Sequence, residues 1–507
     1  MSRLYCPTYL CLKEWRQLIN IQDKLFKVEL PTLLHVLCSI PPLKDMVTQE
    51  HLGEYQNIIN EIFVTAPRAV MEENMTKATI KKWGINGEGI AYVNRKCIFI
   101  PGTLPQEQVE FHIVEEKEKY GMGKVDKILV ESKDRRHEIC KDWDTCGGCS
   151  LMCVQYKAQC RMKEEIVKES LAKYANYRNK IKHIIKNPNP LAYRNSCKLP
   201  FGYDKDHKLC TGMYKRDSNE FVKMDRCFTH AKQIENVRIE IEKIVQDEKL
   251  YDKKLKRGYR TLVLKEFDGK VQVIFVTGNN AVPKRIVDAC SEIENVVSIW
   301  QSVKTDTNVE IFGDVMIHLY GTKCIEMTLK DYSLSLLPKS FFQLNTKQAI
   351  QMYEYVREIT PQSKCIVEAY SGIGAISLFV HDKAKQVIGI EYIKDAVENA
   401  KENAIKNKID NVSFVQGDAA EIFNKMNTKA DTLIVDPPRT GLKEKMIRSI
   451  LHSNVKTLIY ISCNPSTLAK DLKDLSKKYY INSVQPFDLF SQTSHVETVC
   501  LMSRKEK

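Results

Sequence analysis

The sequence predicts an α/β protein whose C-terminal part is a doubly wound parallel sheet. Apolar strands, each followed by a turn and a helix-like segment, recur in KCIVEAYSGIGAISLFV, QVIGIEYIKDAVENAKENA, VSFVQGDAAEIF and ADTLIVDPPR. This alternation is typical of a parallel sheet with helices on both faces. Ahead of it, closely spaced short β-runs predict a small β-barrel. A region of mixed helix and strand between the two predicts a central α+β domain.

The composition is that of a globular protein with several domains. With 507 residues the chain is too long to form a single core. Of these residues, 43% are hydrophobic and 28% are charged. No apolar run is long enough to span a bilayer and no leader pattern is evident, so we expect a cytoplasmic protein without a membrane partner. Seventeen cysteines without a secretion signal favour thiols, catalysis or metal binding over a disulfide framework.

Positive charge is concentrated in one quarter of the chain. The net charge is +13, and residues 141–270 contain 29 lysines and arginines against 18 aspartates and glutamates. A basic surface of that size is typical of proteins that bind a phosphate backbone, although a solvated lysine-rich surface has the same composition. Tyrosines interleaved with these basic residues favour RNA, whose bases stack on aromatic rings. Tyrosines at such positions are more often core residues, so composition leaves RNA as one fitting partner beside a solvated surface, and no obligate protein partner is evident.

The first 135 residues predict two different structures. Residues 1–74 have the apolar periodicity of amphipathic helices. They form either a helical N-terminal extension of unknown role or a segment upstream of a true start at Met71 or Met75. Over residues 75–135, short β-runs are separated by turn residues, the pattern of a small OB-like barrel. The turn signals are Asn86-Gly87, Pro101-Gly102 and Gly121-Met122-Gly123.

Three cysteines predict a metal centre next to this barrel. Cys140, Cys146 and Cys149 form C-x5-C-G-G-C, in which the glycines let the backbone lie close to an inorganic centre. No histidine follows at finger spacing, so a zinc finger is disfavoured, and the radical-type spacing C-x3-C-x2-C is absent. An iron–sulfur cluster needs four thiolates. Zinc and a chance group of reduced thiols remain alternatives. The candidates for a fourth ligand are Cys153, Cys160, Cys197, Cys210 and Cys227.

Glycines and acidic residues follow the first three strands of the C-terminal region. Gly372-Ile373-Gly374 follows the first strand, Glu391 closes the second, and Asp418 closes the third. A glycine turn with acids on the next two strands favours an adenosyl ligand. NAD fits less well, because the full G-x-G-x-x-G is interrupted by Ser377.

Two later strands end in further chemical groups. Asp436-Pro437-Pro438-Arg439 follows one strand, and Ser462-Cys463-Asn464-Pro465 follows the other. Because ligands of open α/β sheets bind outside the carboxyl ends of the strands, both segments should face one crevice. A strand-end turn exposes the sulfur of Cys463, which makes it a candidate nucleophile; the alternative is a half-buried structural cysteine.

With these residues identified, the chain resembles the RNA uracil-5-methyltransferases that use S-adenosyl-L-methionine (SAM), from roughly Thr76 to the C-terminus. The motifs that carry the resemblance are CGGC at 146–149, SFFQLN at 340–345, YSGIG at 370–374, DPPRTGL at 436–442 with SCNPSTLAKDL at 462–472, and QTSHVETV at 492–499. The resemblance implies a TRAM barrel at 75–135, a central RNA-binding domain with iron–sulfur cysteines at 136–335, and a Rossmann-like SAM-dependent methyltransferase domain at 336–507. The TRAM-like segment and the cysteine cluster are traits of the 23S ribosomal RNA branch.

The resemblance also implies roles for individual residues. Cys463 would add to uracil C6 to form a covalent adduct, and Glu497 would remove the proton from C5, giving 5-methyluridine. The implied SAM-binding residues are Gln343, Tyr370, Glu391 and Asp436. The implied ligands of a [4Fe-4S] cluster are Cys140, Cys146, Cys149 and Cys227.

Several other functions compete with ribosomal RNA methylation. A transfer RNA uracil-5-methyltransferase is the first, because the branch traits are not contacts with a substrate. An amino-group methyltransferase also suits a DPP motif after a strand, but it needs neither Cys463 nor Glu497. An RNA-binding factor with a vestigial SAM site is disfavoured because four residues are intact: Cys463, Glu497, Asp436 and Glu391. Electron transfer is the weakest alternative, because no site for a partner cofactor accompanies the cysteines.

Overall fold

A computed structural model describes residues 75–137, 139–216, 218–426 and 430–506. The chain divides into two units, Met1–Thr76 and Lys77–Lys507. The helical extension predicted for residues 1–74 lies outside the described residues. None of the helices in the described ranges combines the length and the apolar character needed to cross a membrane.

The predicted N-terminal barrel corresponds to a six-stranded sheet with its own small core. The strands are β1 (Thr76–Thr79), β2 (Lys82–Trp83), β3 (Gly89–Val93), β4 (Lys96–Ile100), β5 (Gln108–Glu116) and β6 (Tyr120–Val130). Their order is β1-β5-β6-β4-β3-β2. Gly121 and Gly123 lie inside β6 and not in the predicted turn. Side chains are excluded at both positions because the core is too close: a Cβ at Gly121 would lie 2.9 Å from the Ile98 side chain, and a Cβ at Gly123 would lie 2.9 Å from the Phe111 side chain.

A long helix, α1 (Tyr156–Ala175), follows and packs against the C-terminal part of the chain. Its residues Cys160, Val167 and Leu171 are buried in the same core as strands of the C-terminal sheet. The helix ends at Asn176, whose left-handed φ of 51° is a conformation that asparagine tolerates.

The central region is a seven-stranded sheet covered on one face by two helices. Its strands are β7 (Ser196–Tyr203), β8 (Leu209–Tyr214), β9 (Phe221–Lys223), β10 (Tyr259–Phe267), β11 (Lys270–Thr277), β12 (Val296–Val303) and β13 (Val315–Gly321), in the order β13-β12-β11-β10-β7-β8-β9. The helices are α2 (Lys232–Val245) and α3 (Lys284–Ser291). Their apolar faces and the sheet enclose one continuous core.

A hairpin and a helix lead into the C-terminal sheet. The hairpin consists of β14 (Ile325–Leu329) and β15 (Tyr332–Leu336), and the helix is α4 (Thr346–Ile359). Asn345 begins α4, and its side chain accepts a hydrogen bond from the backbone N–H of Gln348. The hairpin strands are buried together with α4 and one face of the C-terminal sheet.

The C-terminal sheet confirms the predicted doubly wound α/β fold. Its strands are β16 (Ser363–Ala369), β17 (Ala384–Glu391), β18 (Val412–Gln416), β19 (Thr432–Val435), β20 (Thr457–Ser462), β21 (Tyr479–Phe487) and β22 (Glu497–Arg504). Their order is β18-β17-β16-β19-β20-β22-β21, with only the last two antiparallel to their neighbours. The helices between them are α5 (Ala375–Phe379), α6 (Lys394–Lys406), α7 (Ala419–Met426), α8 (Glu444–His452) and α9 (Pro465–Leu475), with a 3₁₀ turn at His381–Lys383. Separate apolar cores cover the two faces of the sheet.

Candidate active site

Four strand ends of the C-terminal sheet meet at one edge. Strand β16 pairs in parallel with β17 and β19, and β19 pairs in parallel with β20. Tyr370, Asp436 and Cys463 directly follow β16, β19 and β20, and Glu391 is the last residue of β17. The strand order reverses between β16 and β19, which is where open α/β sheets bind their ligands. The tertiary structure therefore brings these four predicted site residues to one crevice.

The glycine turn after β16 leaves open space next to its backbone. Tyr370, Gly372 and Gly374 have φ angles of 68°, 53° and 82°, so the chain turns sharply here. The Tyr370 N–H and the following Ser371 N–H both donate hydrogen bonds to the Ile390 carbonyl, at 2.9 and 3.0 Å. A Cβ added at Gly372 would meet no heavy atom within 4 Å. The turn therefore presents bare backbone to a space in which a ligand can lie.

The Glu391 carboxylate is fixed at the edge of this space by three backbone groups. One oxygen accepts from the Gly372 N–H at 3.0 Å, and the other accepts from the Tyr392 and Ile393 N–H groups at 2.8 and 2.9 Å. Asp418 has a different role in the described structure, because its Oδ1 accepts from the Ala420 and Glu421 N–H groups and begins α7. Of the two acids on strands two and three, Glu391 is the one that adjoins the glycine turn.

Gln343 follows Phe341 and Phe342 in the chain and contacts Asn195 of the central region. Its carbonyl accepts a 2.9 Å hydrogen bond from Nδ2 of Asn195. The neighbouring Phe342 is buried in the core and makes an edge-to-face contact with Phe267, whereas Phe341 is 70% exposed. The two phenylalanines of the SFFQLN motif therefore differ: Phe342 is a packing residue, and only Phe341 presents a free ring.

Cys463 and Glu497 are brought together by the antiparallel pairing of β20 with β22. Ser462 pairs with Thr498, so the next residues outward in the ladder are Cys463 and Glu497. The turn that carries Cys463 is closed by Asn464, whose N–H donates to Ser462 Oγ at 3.2 Å and whose side chain caps α9. The candidate nucleophile and the candidate base therefore share one strand end.

The ionisable groups of the site influence one another. Burial, followed by the Glu497 and Asp436 carboxyl groups, raises the pKa of the Cys463 thiol to about 11, and Arg439 lowers it. Burial and then Asp436 raise the pKa of Glu497 to about 8. Burial raises the pKa of Asp436 to about 7. Near neutral pH these pKa values favour a neutral Cys463 thiol, a largely protonated Glu497 and a partly ionised Asp436, and a nearby cation would favour the ionised forms.

A buried acid lies beneath the site. Glu368 on β16 is 1% exposed, and its carboxylate accepts a hydrogen bond from the Ser377 hydroxyl. Burial is the main reason that its pKa rises to about 8, and Asp436 contributes. Tyr353 on α4 is buried close to Glu368, Asp436 and Glu497, and burial raises its pKa well above the ordinary value.

The four cysteines implied as cluster ligands line one cavity of about 300 Å³, although Cys227 comes from a distant part of the chain. Burial, followed by the charges of Cys227, Cys146 and then Cys140, raises the pKa of Cys149 to about 12, so the four thiols are close neighbours. Cys197 also lines this cavity. As they are placed, no three His, Cys, Asp or Glu side chains in the described part of the chain form a group that could hold a metal ion. Four thiols are the donors that an iron–sulfur cluster requires, but in the described residues they are not grouped as metal ligands.

Comparisons with known proteins agree with this geometry. Residues 155–505 match the model of the tRNA (uracil-5-)-methyltransferase family, and residues 74–125 match the TRAM domain. The chain belongs to the tRNA (uracil-5-)-methyltransferase family. An uncharacterized RNA methyltransferase of Listeria innocua is 35% identical over 84% of this chain and 97% of its own length, and one of Enterococcus faecalis is 36% identical over 84% and 97%.

A solved structure has the same fold. The tRNA (uracil-54, C5)-methyltransferase of Pyrococcus abyssi, in complex with S-adenosyl-L-homocysteine, is 24% identical and covers 84% of this chain and all of its own, with a TM-score of 0.69. The present chain is accordingly an RNA (uracil-5-)-methyltransferase with a SAM-dependent methyltransferase fold and a TRAM domain. The predictions of family, fold class and enzyme class are confirmed. SAM as cofactor and RNA as substrate are confirmed as well.

Several residues next to the site were not identified from the sequence. Arg439 stands beside the motif acid and lowers the pKa of the Cys463 thiol. Its place directly after Asp-Pro-Pro was the only signal available. Asp488 and Gln492 are buried in the loop before Glu497. Gln492 opens the QTSHVETV motif, but its partners lie hundreds of residues earlier in the chain, so no local pattern reveals its contacts.

Proposed function

We propose that this enzyme methylates C5 of a uridine in ribosomal RNA, most specifically 23S ribosomal RNA, through a covalent bond between Cys463 and uracil C6. The observation that carries the proposal is the ladder position of Cys463 beside Glu497, with Asp436 close to both. An amino-group methyltransferase has no use for a thiol and a carboxyl group arranged in this way. Uracil C5 is a poor nucleophile, so a covalent intermediate separates one difficult step into easier ones.

The proposed reaction has three steps: addition of Cys463 to the base, transfer of the methyl group, and removal of a proton by Glu497. Cys463 loses its proton to solvent as its sulfur adds to C6, and the electrons of the C5–C6 double bond move toward O4 to give an enolate. SAM, when bound, would supply the methyl group: the enolate electrons would form the C5–methyl bond and restore the C4 carbonyl as the methyl–sulfur bond breaks, leaving S-adenosyl-L-homocysteine. Glu497 then removes the remaining C5 proton. The electrons of that C–H bond re-form the C5–C6 double bond, and the C6–S bond breaks to return the thiolate.

The SAM site in this proposal is formed by the crevice at the strand ends. Glu391, held by three backbone N–H groups, offers its carboxylate for ribose hydroxyls. Tyr370 and Gln343 complete the cofactor contacts, and Asp436 lies between the cofactor and the target base. Bare backbone and open space at Gly372 support a ligand at this point.

We further propose that Cys140, Cys146, Cys149 and Cys227 hold a [4Fe-4S] cluster. The support is that all four thiols line one cavity. Iron and sulfide analysis of anaerobically purified protein tests this, with about four iron atoms expected per chain. Cys227→Ala should lose the iron, whereas Cys210→Ala, which removes a thiol from the core of the central domain, should retain it. Folded wild-type protein that contains no iron after anaerobic purification would contradict the proposal, and iron-free protein that is fully active would count against a structural role of the cluster.

The function is tested by trapping the covalent intermediate. Purified protein is mixed with SAM and 5-fluorouridine-containing ribosomal RNA fragments, and a denaturation-resistant protein–RNA complex is sought. Fluorine cannot leave C5 as a proton does, so the adduct should persist. Wild type should form the complex, and Cys463→Ala should not. Absence of a complex, from folded protein that binds SAM, would overturn the uracil-5 mechanism.

The same experiment decides between the two RNA classes. The presence of the TRAM domain and of the cysteine group, traits of the ribosomal branch by resemblance, supports ribosomal RNA. The alternative is transfer RNA, which appears in the description of the matched family model. Trapping on transfer RNA and not on ribosomal RNA fragments would retain the mechanism and replace the proposed substrate.

A further inference from the structure

We propose that the loop from Asp488 to Val496, here called the base loop, positions Glu497 for the release of the covalent adduct, and that Gln492 and Asp488 are its positioning residues. The inference rests on the proposed function, in which Glu497 removes the C5 proton. It adds a set of residues that do not touch the substrate but determine where the base stands.

The Glu497 side chain depends on its backbone for its position. It is 3% exposed, and within the described residues it accepts no hydrogen bond from any side chain or backbone group. The charged groups that influence it are Asp436, Arg439 and Lys163. Glu497 is also the first residue of β22, where it pairs with Phe487 of β21, so strand pairing holds Glu497 and the chain that follows it but not the chain that precedes it. The base loop is the support on the other side.

Gln492 is the centre of the hydrogen bonds that hold this loop. It is fully buried and has a φ of 70°, a strained conformation for a residue with a side chain. Its Oε1 accepts from Arg136 at 2.7 Å and from Gln159 at 2.9 Å, and its Nε2 donates to the Pro190 carbonyl at 3.0 Å. Its backbone is held as well, since its N–H donates to Gln159 Oε1 and its carbonyl accepts from the Leu151 N–H, both at 2.9 Å.

These contacts join the base loop to the segment that contains the cysteines. Leu151 lies two residues after Cys149, and Gln159 Nε2 donates to the Leu151 carbonyl at 3.1 Å as well as to Gln492. Arg136 binds the Met152 carbonyl through Nε at 2.7 Å while it binds Gln492 through Nη2. The cysteine segment and the base loop are therefore parts of one hydrogen-bonded assembly.

Asp488 forms a second buried anchor at the start of the base loop. It is 1% exposed and forms an ion pair with the fully buried Lys163 of α1. Its carboxylate also accepts from the Tyr156 hydroxyl at 2.8 Å and from the Ser491 hydroxyl at 2.6 Å. Tyr193 adds a third anchor, because its hydroxyl donates to the Ser491 carbonyl at 2.8 Å. Buried hydrogen bonds of this kind fix a loop in one conformation.

A loosened base loop should affect one chemical step more than the others. Formation of the adduct depends on Cys463, which is supported by β20 and α9. Release depends on Glu497 reaching the C5 proton, and a displacement of about 1 Å is enough to slow such a step by on the order of a hundredfold. On ordinary uridine RNA, wild type releases the methylated adduct, whereas variants that loosen the base loop should accumulate it.

The test compares adduct release in matched pairs of variants. Gln159→Ala and Gln492→Ala remove the central hydrogen bonds, and Gln301→Ala is the control, because Gln301 is a buried glutamine with three hydrogen bonds in the central sheet. Tyr193→Phe removes one hydroxyl that donates to the base loop, and its control Tyr259→Phe removes a buried hydroxyl that has no partner in the described structure. Tyr193→Phe keeps the test valid where an alanine variant does not fold.

The measurements are the rate of release of the denaturation-resistant complex formed with ordinary uridine RNA, and the Kd of SAM. Gln159→Ala and Gln492→Ala should slow release by about tenfold to a hundredfold, Tyr193→Phe should slow it less, and the SAM Kd should change less than twofold. The double variant should be no slower than the slower single one, because both residues belong to one hydrogen-bonded unit. The two control variants should release the adduct at the wild-type rate.

Glu497→Gln separates failure of this inference from failure of the proposed function. Accumulation of adduct in Glu497→Gln but not in the folded loop variants would overturn the positioning role. No accumulation in Glu497→Gln would remove Glu497 as the base, and with it the proposed mechanism of release. Equal slowing of release in the loop variants and in the two controls would show that these contacts stabilise the fold without positioning Glu497, and would also overturn the inference.

Discussion

Cys463 and Glu497 occupy opposed positions at the open end of the antiparallel pair β20 and β22. The pairing of Ser462 with Thr498 sets this relationship, and the pairing of Phe487 with Glu497 in β21 and β22 holds the other side of the same strand. Among the described residues, the antiparallel strands of the C-terminal sheet carry the candidate base opposite the candidate nucleophile. Three of the four candidate cofactor residues, Tyr370, Glu391 and Asp436, lie at the ends of parallel strands, whereas Gln343 precedes α4. The candidate nucleophile lies one residue beyond β20 and the candidate base is the first residue of β22, so one strand pair sets the relation between them.

Removal of the Arg439 charge should move the pH dependence of adduct formation upward. Burial raises the pKa of the Cys463 thiol and Arg439 lowers it, so Arg439→Gln should raise it further. The rate of trapping on fluorinated RNA should rise with pH in both proteins, with the rise at higher pH in the variant. Single-turnover trapping across pH values measures this. Arg448→Gln removes an exposed arginine paired with Glu444 and should leave the profile unchanged. Identical profiles for Arg439→Gln and wild type would contradict the prediction.

Replacement of Glu368 by glutamine should stabilise the protein increasingly as the pH rises. The folded state holds the proton of Glu368 up to a pKa of about 8, whereas the ordinary value is 4.5. The folded state therefore binds more protons in this interval, and the free energy of unfolding falls as the pH rises from about 4.5 to 8. Glutamine cannot ionise, so the difference in Tm between Glu368→Gln and wild type should grow across this range. Thermal melting at several pH values measures it. Glu444→Gln, at an exposed site on α8, is the control, and a constant difference in Tm would disprove the prediction.

A methyl group at Gly372 should weaken cofactor binding beyond its effect on stability. Gly372 and Gly269 both have positive φ, at 53° and 81°, and a Cβ at either would meet no atom within 4 Å. Alanine at each position should therefore cost about 1 kcal/mol of stability through backbone strain. Only Gly372→Ala places a methyl group in the proposed SAM site, so only this variant should raise the Kd of S-adenosyl-L-homocysteine in calorimetry. Equal Kd values for the two variants would move the ligand away from this turn.

Alanine substitutions at the two phenylalanines of the SFFQLN motif should affect different properties, protein stability for Phe342 and RNA affinity for Phe341. Phe342→Ala leaves a cavity in the core and should lower the free energy of unfolding by about 3–5 kcal/mol. Phe341→Ala should change stability little, because the ring is 70% exposed. If a base stacks on that ring, RNA affinity should fall by about 1–3 kcal/mol. Denaturant unfolding and RNA titration measure the two effects. Unchanged RNA affinity in Phe341→Ala would exclude this ring as a stacking surface.

The fold class, the small N-terminal β-barrel and the residues at the strand ends can be predicted from the sequence alone. Each of these signals is local: the alternation of strand and helix, the turn glycines, and Tyr370, Asp436 and Cys463 placed one residue after a strand. The boundaries predicted inside the chain, at 135 and 335, stay predictions. Helix α1, in the predicted central domain, packs on the C-terminal sheet instead, because its apolar face cannot reveal which surface covers it.

The contacts between groups that are distant in the chain become visible only in the folded structure. No local pattern reports that β22 lies antiparallel to β20, so the opposition of Cys463 and Glu497 had to come from the sheet register. The same holds for Gln492, whose partners Arg136 and Gln159 lie more than 300 positions away. It also holds for Cys227, which lines the same cavity as Cys149. Hydrogen bonds and side-chain packing between remote segments depend on the whole fold, whereas strand, turn and helix signals depend on a few neighbouring residues.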